Sequence, residues 1–401
     1  MPLPPCLMMD TMVKPEILCI GNAITDIYTS VGNKTLASLG IAPQVRHVSY
    51  ERIAEVLRVL SEKNAKFVSC SGGGAANVAK IAAMLSIPAA FAGVIGTTGT
   101  ISTVDGAEGG KVAACDTVAD ADSLGQRFKA EMQAAGVVPH LSSARLPTGV
   151  CLLLKKKDGS TAILACPSAA IEITEKDIPP GLIQDAKAVV LDGYILDNTA
   201  LVHYILHTAD RFGTIVALDV GNAAIAAAHA KEIAQYCRDY ALILFMNEDE
   251  ARAFYTALAH NGTETDDEDE GGETSPFDVL QEDPSISGMY AFFKKTSDGG
   301  LFPVIVVKQG PRGAVVFSGN RVFNAPVLAI NATESTGAGD AFCAGFLAAW
   351  IRDKSIQECA DLGNRVARET LNVPGTRMDR KKLDHIAKTR LEGKSGLWAR
   401  G

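Results

Sequence analysis

Short apolar runs alternate along most of this chain with segments whose apolar side chains recur at helical spacing. Glu16–Gly21 reads as a strand. Tyr50–Lys63, with Ile53, Val56, Leu57 and Leu60 on one face, reads as a helix. Lys66–Cys70 is a short strand running into Gly72-Gly73-Gly74, followed by an Ala-rich helix over Ala75–Leu85 and a strand over Ala89–Ile95. Ser123–Ala135 reads as a helix, and Gly149–Lys155 and Ser160–Cys166 flank Lys157-Asp158-Gly159 as a hairpin. Strands at Ala188–Leu191, Thr214–Val220, Ala241–Met246 and Pro303–Lys308 then alternate with helices near Thr199–Arg211, Ala223–Cys237 and Glu248–Leu258. Helices at Ala338–Trp350 and Ile356–Leu371 close the pattern. Repeated strand–helix order predicts an α/β fold, a doubly wound and mostly parallel sheet with helices on both faces. Ligands collect at the carboxyl ends of such strands, where Gly72–Gly74, Asn247 and Gly310 fall.

Composition changes this picture little. The chain has 401 residues, 47% hydrophobic and 21% charged, enough for a large core. Its net charge of −8 is local: Asn261–Thr274 holds seven acids and no Lys or Arg, and the rest is close to neutral. No basic stripe marks a nucleic-acid surface, and the apolar runs are too short to span a bilayer. The nine cysteines are scattered with no CxxC pair, and no basic region precedes an apolar stretch near Met1. Reduced thiols and a cytoplasmic protein are therefore expected. Residues 1–14 carry three prolines and read as a flexible tail, with the folded domain over 15–401.

The sharpest chemical signal is Ser335-Thr336-Gly337-Ala338-Gly339-Asp340, which leads directly into the apolar helix from Ala341. Small residues at a helix start leave its first N–H groups bare, and those groups with the helix dipole favour an anion. A carboxylate there would repel a phosphate that was merely bound. It makes sense as a base that takes a proton from a hydroxyl attacking a phosphoryl group held by the amides. The alternative is an ordinary first-turn Asp favoured by the dipole. His203 and His207 stand one helical turn apart but lack the intervening acid of a zinc-protease motif, and read as a solvated helix face. The front glycines lack the GxGxxG spacing of a dinucleotide site.

Taken together, Gly72-Gly73-Gly74-Ala75-Ala76-Asn77-Val78-Ala79 and Ser335–Asp340, with Gly21–Asp26, Asn247–Glu250 and Val307–Gly313 in order around and between them, resemble the ribokinase-like (PfkB) family of carbohydrate and nucleoside kinases. The resemblance runs from about Ile17 to about Thr376 and leans to the adenosine-kinase-like branch through Gly21–Asp26 and Leu191–Leu196. The aperiodic stretches near 97–120 and 259–283 read from their composition as surface insertions, while the resemblance implies a small β-sheet lid, placed near 27–48 and 148–169. It also implies ATP-dependent transfer of a γ-phosphoryl group to a primary hydroxyl, with Mg²⁺. Asp340 would be the general base and Gly337, Ala338 and Gly339 the anion hole. Asp26, read as ending the first strand, would hold two substrate hydroxyls, and Gly72, Gly73 and Asn77 would form the sugar-binding loop. Read alone, without the family pattern, Asp26 reads as a turn Asp capping its own backbone. Asn247 and Glu250 would position Mg²⁺ largely through water, yet the same pair fits a helix cap. Lys308, Gly310 and Gly313 resemble the nucleotide-binding strand and turn, and Asn364 lies where relatives place an Asn near adenine. Glu334 stands where the family more often has Asp, which puts a K⁺ site in question. Ribose-like sugars and nucleosides both stay open as acceptors, as does a monomer or a lid-mediated homodimer. A non-catalytic sugar- or nucleoside-binding protein on the same fold is the reading from another class.

The acidic run Asn261–Thr274 has no large apolar side chain and falls away from every motif, so it reads as a mobile surface insertion without a part in catalysis, the competing reading being an acidic docking site for a basic partner or a divalent cation. Replacing 261–274 by a short Gly-Ser linker is expected to leave kcat/KM within about twofold, because loop-length changes cost little. A larger loss, measured with ATP and the best acceptor, would show that the segment serves the site.

Overall fold

The computed structural model describes residues 14–42, 45–103, 112–119, 123–156, 158, 160–261, 286–300, 303–327, 336–371 and 378–391. The strands are β1 Ile17–Ile20, β2 Ile24–Ser30, β3 Val45–His47, β4 Val68–Gly72, β5 Ala89–Gly96, β6 Gly99–Thr103, β7 Val112–Ala119 and β8 Val137–Ala144. They continue as β9 Gly149–Lys155, β10 Thr161–Cys166, β11 Ala188–Asp192, β12 Ile215–Asp219, β13 Leu242–Asn247, β14 Val304–Lys308, β15 Ala314–Ser318 and β16 Arg321–Ala325.

Nine of them form one sheet in the order β16-β15-β14-β13-β12-β11-β1-β5-β8. The pairs from β14 across to β8 are parallel, and the β14–β15 and β15–β16 pairs at one edge are antiparallel. Strands such as β5 and β13 read as near-continuous apolar runs because both faces of the sheet are covered. Helices Gly74–Met84, Ser123–Ala135, Ala338–Trp350, Ile356–Thr370 and Arg380–Arg390 pack with one core, which holds Phe91, Phe128, Phe245 and Phe346. Helices Thr199–Phe212, Ala230–Asp239, Glu248–Asn261 and Ile286–Asp298 pack with the other, around Phe254, Phe293 and Phe317. The doubly wound α/β sheet with a second, smaller sheet is the architecture expected from the alternating pattern and the resemblance.

The smaller sheet, the lid, runs β3-β10-β9-β2-β4. Helix Tyr50–Glu62, N-capped by Ser49, covers one of its faces through Ile53, Val56, Leu57 and Leu60 against Ile27, Leu152, Leu154 and Leu164. Alternate residues therefore point to the other face, and there Asp26 lies in register between Cys70 of β4 and Cys151 of β9. Asp26 does not end the first strand. β1 stops at Ile20, the chain turns through Gly21–Ala23, and Asp26 sits inside lid strand β2. The strand read over Lys66–Cys70 also belongs to the lid. The single helix read over Ala223–Cys237 is two helices, Ala223–Ala228 and Ala230–Asp239, meeting at His229. In the stretch 97–120, the described strands β6 and β7 pair antiparallel. Residues 1–13, Glu334, Ser335 and 262–285 lie outside the described residues. Among the described residues no helix is long and apolar enough to cross a membrane, and seven cysteines are free thiols.

Candidate active site

The parallel strands deliver polar side chains to one edge. Asp192 ends β11, Asp219 ends β12, Asn247 ends β13 and Lys308 ends β14, with Asp192 opposite Asp219 and Asn247 opposite Lys308 in the ladder. Helix Ala338–Trp350 begins beside them. Its N-cap, Gly337, takes the left-handed conformation (φ 81°), open to glycine at little cost, and no side chain caps it. The first amides of that helix are thus left for a ligand. Lys308 reaches them: its ammonium lies 3.3 Å from where a Cβ on Gly339 would stand. The same ammonium donates to both oxygens of Asp219, at 2.8 and 3.1 Å. Burial acts to lower the Lys308 pKa, but Asp219 and Glu250 beside it outweigh burial and raise it, so the lysine stays charged.

Asp340, in the first turn, meets the front loop. Asn77, in helix Gly74–Met84, donates to Asp340 Oδ2 at 2.7 Å across 263 residues of sequence. Burial pushes the Asp340 carboxyl up to about 7, with Asp219 and Asp192 adding repulsion while Asn77 and Lys308 oppose it. Gly73 caps the Asn77 helix with φ 95°, and a Cβ there would strike the Asn22 carbonyl. A Cβ on Gly72 would strike the Asp26 carboxylate, so only glycine lets β4 pass so close. Asp26 accepts from the Tyr28 hydroxyl at 3.3 Å, and burial lifts its pKa to about 6 against the pull of Lys80.

Sequence reasoning missed three charged groups here. Asp192 is buried; its Oδ1 accepts from the Tyr194 amide at 3.2 Å, while Oδ2 faces the Gly74 and Ala75 amides without a well-formed hydrogen bond. Burial pushes it up to about 6. Asp219 anchors Lys308. Lys80 is buried and donates to the Ser71 carbonyl at 2.5 Å and its hydroxyl at 3.2 Å. Glu131 accepts from the Ser71 amide at 2.5 Å, and Arg127 donates to the Ser69 carbonyl at 3.1 Å. These groups satisfy the outer edge of β4, the end strand of its sheet among the described residues. The signal for the two acids was their place as the last residues of apolar strands.

Asn247 and Glu250 form a reciprocal helix cap. Glu250 accepts from the Asn247 amide (2.8 Å) and side-chain Nδ2 (2.6 Å), and Asn247 Oδ1 accepts from the Glu250 amide (2.9 Å). Burial pushes Glu250 up to about 7 while Lys308 acts to lower it. Gly310–Arg312 is a short 3-10 turn closed by a 2.7 Å bond from the Gln309 amide to the Gly313 carbonyl. Asn364 donates to the Ala325 carbonyl at 2.7 Å, which occupies its amide group with the end of β16.

The family model described as pfkB family carbohydrate kinase matches residues 109–382. Adenosine kinase 2 of Arabidopsis thaliana is 25% identical over 358 residues, 86% of this chain and 91% of that protein. Adenosine kinase 1 of the same plant is 28% identical over 251 residues, 60% of this chain and 67% of that one. The crystal structure of adenosine kinase from Sinorhizobium meliloti superposes with a TM-score of 0.71 at 22% identity, over 94% of this chain and 99% of that one.

Proposed function

Because the chain belongs to the pfkB family of carbohydrate kinases, and is thus a phosphotransferase with a hydroxyl acceptor, we propose that it moves the γ-phosphoryl group of ATP to the primary hydroxyl of a ribose-like sugar or a nucleoside, with Asp340 as general base. The observation that carries this reading is the meeting of Asp340, Asn77 and the uncapped helix start at Gly337, with Lys308 alongside. Asn77 holds one Asp340 oxygen and leaves Oδ1 to accept the proton of the attacking hydroxyl. The amides of Gly337, Ala338 and Gly339 stand where they can hold phosphoryl oxygens, and the Lys308 ammonium adds charge there. Asp26, Gly72 and Gly73 would fix the acceptor through its vicinal hydroxyls, and the lid would exclude water as it closes.

ATP fits the chain's own groups: bare amides and a buried cation for phosphates, and the turn at Gly310–Gly313 for the nucleotide. Mg²⁺ fits beside Asn247 and Glu250, which are hard-oxygen donors engaged with each other and so would hold its water shell. When bound, the ion supplies charge neutralisation between the phosphates. Asn364, held by the Ala325 carbonyl, would shape the adenine side through the backbone.

Sugar and nucleoside both suit this machinery. Tyr28, Leu153 and Ile163 share the lid face with Asp26, and this apolar patch favours a planar base over a free sugar. ATP turnover with magnesium across neutral sugars and nucleosides tests the reading, and turnover with none of them would overturn it. Asp26→Ala is expected to weaken acceptor binding by about 1.5–3 kcal/mol, roughly 10- to 150-fold, from loss of charge-assisted bonds. Calorimetric titration with the acceptor measures it, and an unchanged Kd would leave Asp26 a purely structural residue of the lid.

A further inference from the structure

The cleft is electrically divided. Its donor half holds a cation: Lys308, next to Gly339 at the start of helix Ala338–Trp350. Its acceptor half is ringed by carboxylates, and the segment Gly72–Asn77 touches all of them. Gly72 lies against Asp26; a Cβ on Gly74 would be 3.4 Å from Asp192 Oδ2 and 3.7 Å from Asp340 Oδ1; Asn77 donates to Asp340. Lys80 is near but turned away, its ammonium bonded to the Ser71 carbonyl and hydroxyl behind β4.

Two helix starts face this cleft, and neither has a side-chain cap. Each would attract an anion. One, at Gly337, is open. The other, at Gly73, already has an anion of the protein's own: Asp192, buried, with Oδ2 turned toward the Gly74 and Ala75 amides without a well-formed hydrogen bond. The space for Asp192 is built in, since a Cβ on Gly21 would lie 2.8 Å from the Asp192 Cβ.

We propose that Asp192 is a specificity-determining residue: it occupies the second helix start and, with Asp26 and Asp340, makes the acceptor half negative, so that the enzyme takes uncharged sugars or nucleosides and rejects acceptors already bearing a phosphate or carboxylate. The inference rests on the kinase reading above and narrows its acceptor. The physical cause is that a second negative charge placed among buried carboxylates is repelled with little screening. The rival anchor for an anionic acceptor is Lys155 on the lid, whose ammonium lies 5.7 Å from the Tyr28 ring centre.

The test compares matched pairs that keep the primary hydroxyl and the vicinal diol: ribose with ribose 1-phosphate, and uridine with orotidine. kcat/KM is measured at pH 8 for the wild type and Asp192→Asn, with Asp192→Ser as second variant should the first not fold. The neutral member is expected to be favoured by about 100-fold or more in the wild type. In the variant the ratio should shrink about tenfold, through a lower KM for the anionic member. An anionic member within tenfold of its neutral partner, or a ratio unchanged by both variants, overturns the proposal. Should no compound be phosphorylated, the kinase reading fails by itself. Calorimetric binding of the same pairs then decides the charge assignment: tighter binding of the neutral member supports it, while equal binding or none overturns it.

Discussion

Asp340→Asn is expected to lower kcat by about 10²–10⁴-fold, the usual worth of a general base, while ATP still binds. The amide keeps the size of the carboxylate and can still accept from Asn77, so the anion hole at Gly337–Gly339 should stay formed. Only the proton acceptor is lost. The same change should make the folded protein harder to melt at pH 8. Burial and the neighbouring Asp219 and Asp192 raise the Asp340 pKa to about 7 from an ordinary 3.8. A carboxyl whose folded pKa is raised favours folding while protonated. It costs stability progressively as pH climbs from about 4 to about 7, and in full above that. At about 1.4 kcal/mol for each pH unit the pKa moves, the gain in the variant is at most about 4.5 kcal/mol at pH 8 and vanishes near pH 4. In the wild type, kcat/KM should fall below about pH 7 as the base takes up its proton. Single-turnover assays, ATP calorimetry and melting at both pH values measure all three effects. A variant that keeps a tenth of kcat removes Asp340 from this role, and one that melts lower at pH 8 removes the cost assigned to its buried charge.

Lys308→Met should do the opposite to stability. Lys308 and Asp219 pair at 2.8 Å with side chains 13% and 15% exposed. Removing the cation leaves Asp219 buried and uncompensated, with Glu250 and Asp340 close by, and breaking such a pair costs about 3–5 kcal/mol. The KM for ATP should rise as well, because the ammonium beside Gly339 is lost. The double change Lys308→Met with Asp219→Asn separates the two effects. It should recover much of the melting temperature, since Asp219 is no longer stranded as a buried charge, without recovering ATP affinity. Unchanged melting and ATP KM in the single variant would show that Lys308 serves neither purpose.

Local pattern carries far in this chain where one element suffices. The helix at Ala338–Trp350 is legible to the residue, because small residues give way abruptly to a wholly apolar run. Ser123–Ala135 and β9 are equally plain. Strands β15 and β16 are short and lie at the sheet edge, and β2 is masked in the sequence because Ile24–Ser30 mixes buried and half-buried positions.

By itself, then, the sequence determined the alternation of strands and helices, the bare helix start with its carboxylate, and the run of glycines at Gly72–Gly74 between a strand and a helix. Each of these is a property of adjacent residues and their backbone preferences. The tertiary structure alone decided that Lys66–Cys70 would join the lid, that Asn77 would meet Asp340, and that Asp192 and Asp219 would stand together at neighbouring strand ends. It also spent the Asn364 amide on the Ala325 carbonyl and aimed Lys80 at Ser71. The reason is physical: strand order and ladder register are set by long-range burial of two helical layers, and no periodicity within a segment encodes which distant strand will lie beside it.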